Sequence, residues 1–162
     1  MNYAPIGSIS HGTLREQDLL HAFASALNQC LDINNHSNAT HEQLCREAWD
    51  HSAIMDCPAP GADQGRWQEQ AQELITQLED ALCEYAPPFC YFGAHEGDGS
   101  DFGFWPSDEM IEDAIVEQAL LKVGDLSEIP EGYTGYVLVV NDHGNMEFYE
   151  AVISYRPLFS VV

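Results

Sequence analysis

Pro87-Pro88 splits the hydrophobic periodicity of this chain in two, and that break constrains the fold more than any other feature. Before it, apolar residues recur every three to four positions; after it, the spacing falls towards two. Proline lacks a backbone N–H and clashes with the preceding helical turn, so a helix stops there. Helical periodicity first and strand periodicity afterwards predict an α+β fold.

Residues 1–12 are polar and read as an extended arm. Thr13 with Glu16 forms a capping-box pattern, and Leu20, Phe23, Leu27 and Leu31 follow as one apolar stripe to about Asp32. Asn34-Asn35-His36-Ser37-Asn38 reads as a loop. Thr40 with Gln43 repeats the capping signal before a shorter helix carrying Leu44, Ala48 and Trp49. Residues 56–65 are a Pro/Gly linker. A third helix is expected over residues 66–84, with Trp67, Ala71, Leu74, Leu78, Leu82 and Tyr85 inward, so residues 13–85 form a helical part.

Beyond Pro88, Phe89-Cys90-Tyr91-Phe92 and Asp101-Phe102-Gly103-Phe104-Trp105 flank a turn-rich Glu96-Gly97-Asp98-Gly99-Ser100, the pattern of a β-hairpin. A fourth helix is expected over residues 107–121, with Met110, Ile111, Ala114 and Ile115 inward. Strands over 136–140 and 146–152 flank Asn141-Asp142-His143-Gly144-Asn145, and residues 158–162 would complete an antiparallel meander. Residues 86–162 thus read as mainly β with one helix. There are no internal repeats, and the length fits a single domain over 1–162.

Composition bears on partners. Twenty-seven acidic side chains face five basic ones, a net charge of −22 in 162 residues; a magnitude of about 2–8 suffices for solubility. A fold of this mass exposes roughly 8,000 Å², or about one net charge per 370 Å². Duplex DNA carries about one per 100 Å² for its one charge per ~1.7 Å of axis. The chain can imitate DNA only by gathering carboxylates on one face. Such a surface repels nucleic acid and anionic membranes, and Arg15, Arg46, Arg66, Lys122 and Arg156 form no basic run. No stretch of 18 apolar residues occurs. The opening residues lack a charged segment followed by an apolar one, so no signal peptide is expected. Cys30, Cys45, Cys57, Cys83 and Cys90 are odd in number with no Cys-x-x-Cys pair. Reduced thiols, core packing and a cytoplasmic setting are the expectation.

The fourth helix carries Asp108, Glu109, Glu112, Asp113 and Glu117 on its outward positions, with no basic residue among them. Asp108/Glu112 and Glu109/Asp113/Glu117 are like-charge rows at i,i+4, each pair costing a few tenths of a kcal/mol. Only Asp108 and Glu109 recover some of this at the positive end of the helix dipole. On the third helix, Glu69, Glu73, Asp80 and Glu84 form another acidic side. Side by side, the two faces would make an array able to stand in for phosphates. A solvated acidic surface, or adaptation to a high-salt cytoplasm, explains the same charges.

Glycine-rich residues 91–101 bring His95, Glu96, Asp98 and Asp101 together. Glu96, Asp98 and Ser100 alternate as in calcium loops, but Asp101 stands where such a loop needs glycine. His95, Asp98, Asp101, Asp142 and His143 would form a metal or ligand site if the two hairpin turns met. Cys90 with His95 or His143 is a conceivable nucleophile pair. P-loop, dinucleotide-binding, zinc-protease and nucleophile-elbow motifs are all missing from the sequence, so neither an enzyme nor a cofactor is expected. The hairpin aromatics Tyr91, Phe92, Phe102, Phe104 and Trp105 read as core first, with the interface of a homodimer as the alternative.

Three segments, Ser10-His11-Gly12-Thr13-Leu14-Arg15, the run YFGAHEGDGSDFGFW (91–105) and Val140-Asn141-Asp142-His143-Gly144-Asn145, carry a resemblance. Together they resemble an uncharacterised group of small acidic proteins carried by bacteriophages and plasmids. The resemblance transfers no activity and no catalytic residues. It implies a mobile-element setting, in which small acidic DNA mimics that block host machinery are known. The expectation is a non-enzymatic acidic protein that binds a basic, nucleic-acid-binding host protein.

Overall fold

The computed structural model describes residues 2–34, 37–57 and 63–153. It contains four α-helices and two three-stranded sheets, an α+β architecture. The chain divides into two compact units, residues 1–107 and 108–162. The division falls well after Pro87-Pro88, because the first hairpin packs onto the helices that precede it.

In the first unit, β1 (Gly7–Ser10) leads into α1 (Glu16–Asn34), α2 (Ala39–Asp56) and α3 (Gln64–Cys83), followed by β2 (Cys90–His95) and β3 (Asp98–Pro106). Sheet order is β1-β3-β2, both pairings antiparallel. The expected arm is thus partly a strand. Its approach is held by Asn2, whose N–H donates to Asn34 Oδ1 at 2.7 Å, and by the Ala4 N–H, which donates to the Tyr85 carbonyl at 2.9 Å.

All three helix starts differ from the sequence reading. Thr13 Oγ1 accepts from the Arg15 N–H at 3.2 Å and donates to Asp18 at 2.7 Å, so α1 begins three residues late, at Glu16. Asn38, not Thr40, caps α2, its Oδ1 accepting from the Thr40 and His41 N–H groups. Asp63 caps α3 from inside the expected linker, accepting from the Arg66 N–H. α2 also runs past Trp49 to Asp56. Buried Ser52 there donates to the Gln17 carbonyl at 2.8 Å and fastens the extra turns to α1.

The core centres on α1, where Leu20, Phe23 and Leu27 have no exposed surface. Phe23 meets Phe92 edge-on at 5.0 Å and Phe102 at 5.4 Å, while Phe92 lies 5.0 Å from Phe104. The inner face of the sheet is therefore an aromatic lid on the helices, and a truncation such as Phe23→Ala should cost about 3–5 kcal/mol. On the other face, Gly103 pairs with Gly93 and Ser8, and a Cβ on Gly103 would run into the Gly7 carbonyl. The close approach of β1 requires glycine there.

The second unit contains α4 (Asp108–Val116), β4 (Leu120–Val123), a 3₁₀ turn at Leu126–Glu128, β5 (Gly135–Val140) and β6 (Met146–Ala151). Two expectations are corrected here. The fourth helix stops at Val116, not at 121. Gln118 adopts a left-handed conformation (φ 61°), its N–H donates to the Ile115 carbonyl, and the Ala119 N–H donates to the Ala114 carbonyl at 2.9 Å. That pair of bonds is a Schellman stop. The freed Leu120 and Leu121 enter β4, which pairs parallel with β5. The described sheet, β4-β5-β6, is therefore mixed and not wholly antiparallel: the expected strands pair antiparallel as β5 and β6, β4 adds a parallel neighbour that the sequence reading lacked, and the strand expected at 158–162 lies outside the described residues. Adjacent Val137 and Leu138 are both buried, as befits a central strand covered on both faces.

Candidate functional site

On α4, Ile111 and Ala114 are buried, whereas Asp108, Glu109, Glu112 and Asp113 are exposed. Asp108 and Glu109 lie in the first turn, where exposed backbone N–H groups favour negative charge. Glu117 is exposed but lies beyond the helix, at its cap; its N–H still bonds to the Asp113 carbonyl at 2.9 Å. The last turn holds no basic residue. Met110 was expected inward and is 45% exposed, within the acidic surface.

On α3, Glu69, Glu73 and Asp80 are exposed, and Glu84 occupies the C-cap. Glu73 accepts from Gln77 at 3.4 Å. Glu84 reaches Nε2 of buried His41 at 3.9 Å, while His41 Nδ1 meets the Tyr85 hydroxyl at 3.2 Å. The neighbouring Glu79 is half-buried, and its pKa is raised by burial and then by the charge of Asp80. α3 belongs to the first unit and α4 to the second, so each row is a surface of its own unit. Among the described residues, the remaining ion pairs are Arg15 with Asp18 (3.6 Å) and with Asp56 (3.8 Å). No lysine or arginine there neutralises either row.

The hairpin residues are already engaged. The turn expected over 96–100 narrows to Glu96-Gly97, since His95 pairs with Asp98. His95 Nδ1 accepts from the Gly97 N–H at 3.0 Å, which leaves a neutral ring's proton on Nε2, and the ring packs edge-on against Trp105 at 4.7 Å. Asp98 accepts from the Ser100 N–H (2.9 Å) and hydroxyl (2.8 Å). Those bonds lower its pKa, with smaller contributions from the charges of His95 and His11. Asp101 accepts from Ser8 at 2.6 Å. Sequence reasoning missed Ser8 and His11, because only the β1–β3 pairing brings the arm here. Asp142 and His143 sit in the second unit's hairpin, where Asn141 Oδ1 accepts from the His143 and Asn145 N–H groups. Among the described residues, no three His, Cys, Asp or Glu side chains converge as a metal requires. Cys90 is buried, which pushes its thiol pKa up, opposite to what a nucleophile needs.

No helix among the described residues is long and apolar enough to cross a membrane. The chain matches no family model, no curated protein and no solved structure. The carboxylate rows remain the most distinctive chemistry on the molecule.

Proposed function

We propose that this chain is a non-enzymatic interaction protein of a mobile element, which inhibits a host nucleic-acid-binding or defence protein by covering its basic surface with carboxylates. The observation that carries this reading is the five exposed carboxylates between Asp108 and Glu117, without a basic partner among the described residues. Like-charge rows oppose helix stability, so stability does not account for them. A partner that neutralises them would. Such recognition speeds association and weakens as salt screens it.

The test is capture of host proteins from bacterial lysate at about 0.1 M and about 1 M salt, where the screening length falls from about 10 to 3 Å. One dominant nucleic-acid-binding protein, released by salt and displaced by duplex DNA, is expected. The triple variant Asp108→Lys, Glu112→Lys, Asp113→Lys should lose it while keeping its circular dichroism spectrum. Retained capture by that variant overturns the assignment to α4.

A further inference from the structure

α2 and α3 pack more extensively on α1 than on each other, and a groove lies between them. It consists of two adjoining cavities of about 380 and 310 Å³ that share Glu47 and Gln77. From Thr40 to Ile54 it runs roughly 20 Å at 1.5 Å per helical residue. Along α2 the lining residues Thr40, Gln43, Glu47, Asp50 and Ile54 recur in steps of three and four. That is the spacing with which one helix packs against another. The apolar part of its floor is Leu44, buried, and Leu74, half-buried, with Ile54 45% exposed at one end, while His51, Gln70 and Gln77 complete the lining with polar groups. The rim is acidic, with Glu47, Asp50 and Glu73 exposed, and among the described residues no lysine or arginine lines either cavity.

We infer that this groove docks a basic amphipathic helix of about four turns. Its apolar side would lie on Leu74 and Ile54, and its lysines or arginines against Glu47, Asp50 and Glu73. Helix-in-groove recognition needs this combination of apolar floor and complementary rim. A second copy of the chain cannot be the occupant, because none of α1–α4 carries more than one basic residue. The inference rests on the reading that the chain captures basic proteins, and it assigns a second surface on the other unit.

The probe is a synthetic leucine–lysine amphipathic helix of about 15 residues, titrated into the isotope-labelled full chain and followed by amide shifts. Shifts should concentrate on α2 and α3. The triple reversal Glu47→Lys, Asp50→Lys, Glu73→Lys should weaken binding roughly tenfold or more, from three rim ion pairs. Ile54→Ser, which leaves the charge unchanged, should weaken it severalfold, and a scrambled peptide of the same composition should bind poorly. Equal binding of the scrambled peptide, or shifts centred on α4, overturns the inference. So does a loss no greater than that from reversing Glu16, Asp32 and Glu96 elsewhere on the unit. Because the α4 triple variant is read separately, failure of the groove leaves the α4 assignment standing, and the reverse.

Discussion

At the scale of single residues, backbone geometry fixes more than side-chain chemistry does. Gly103→Ala adds one methyl group against the Gly7 carbonyl, so β1 must lift or the sheet must distort. A loss of about 1–3 kcal/mol is expected from such overpacking. It would be read by urea unfolding, with amide protection of residues 7–10 lost first. Gln118 offers the opposite case. It holds a left-handed conformation that glycine adopts without strain, so Gln118→Gly should stabilise the chain by about 1 kcal/mol. The buried thiols of Cys30 and Cys45 are pushed up to about 11 by burial, from an ordinary 9.0. Unfolding lets them ionise earlier, so stability should fall as pH rises from 9 towards 11, by up to about 1.4 kcal/mol per unit for each thiol. Cys45→Ala should flatten that slope, as measured by denaturant midpoints across the range.

Among the elements, helix α4 would set stability against the recognition proposed for it. Glu112→Lys replaces repulsion with attraction towards Asp108 one turn away. It should stabilise the fold by a few tenths of a kcal/mol, read as a slight rise in melting temperature, while weakening partner capture. A variant that gains neither stability nor loses capture would remove α4 from the interface. Core positions at this scale were legible in the sequence, since Leu20, Phe23, Leu27, Leu78 and Leu82 lie where a 3.6-residue period places them. The ends were not. Asn38 and Asp63 cap helices from segments that read as loop and linker, because capping depends on one hydrogen bond and not on a repeating pattern. β4 was hidden for a related reason: Leu120 and Leu121 continue the apolar spacing of α4, and only the left-handed Gln118 separates them. The acidic rows could be read from spacing, whereas the α2–α3 groove depends on packing that no local pattern encodes.

For the molecule as a whole, a net charge of −22 makes salt act in two directions. Screening relieves self-repulsion in the compact state, so the melting temperature should rise between about 0.02 and 0.5 M salt, over which the screening length shrinks severalfold. Capture of a basic partner should decline over the same range. A melting temperature indifferent to salt would mean that the acids are already compensated in the folded chain. The pairing of β1 with β3 has a separate consequence for how the first unit is assembled. Three helices and a strand lie between those partners in the chain, and closing so long a loop costs entropy that local contacts do not. The helices can therefore gather around Phe23 before β1 has a neighbour, and the strand of this unit that is made first is the last of its three to find its place.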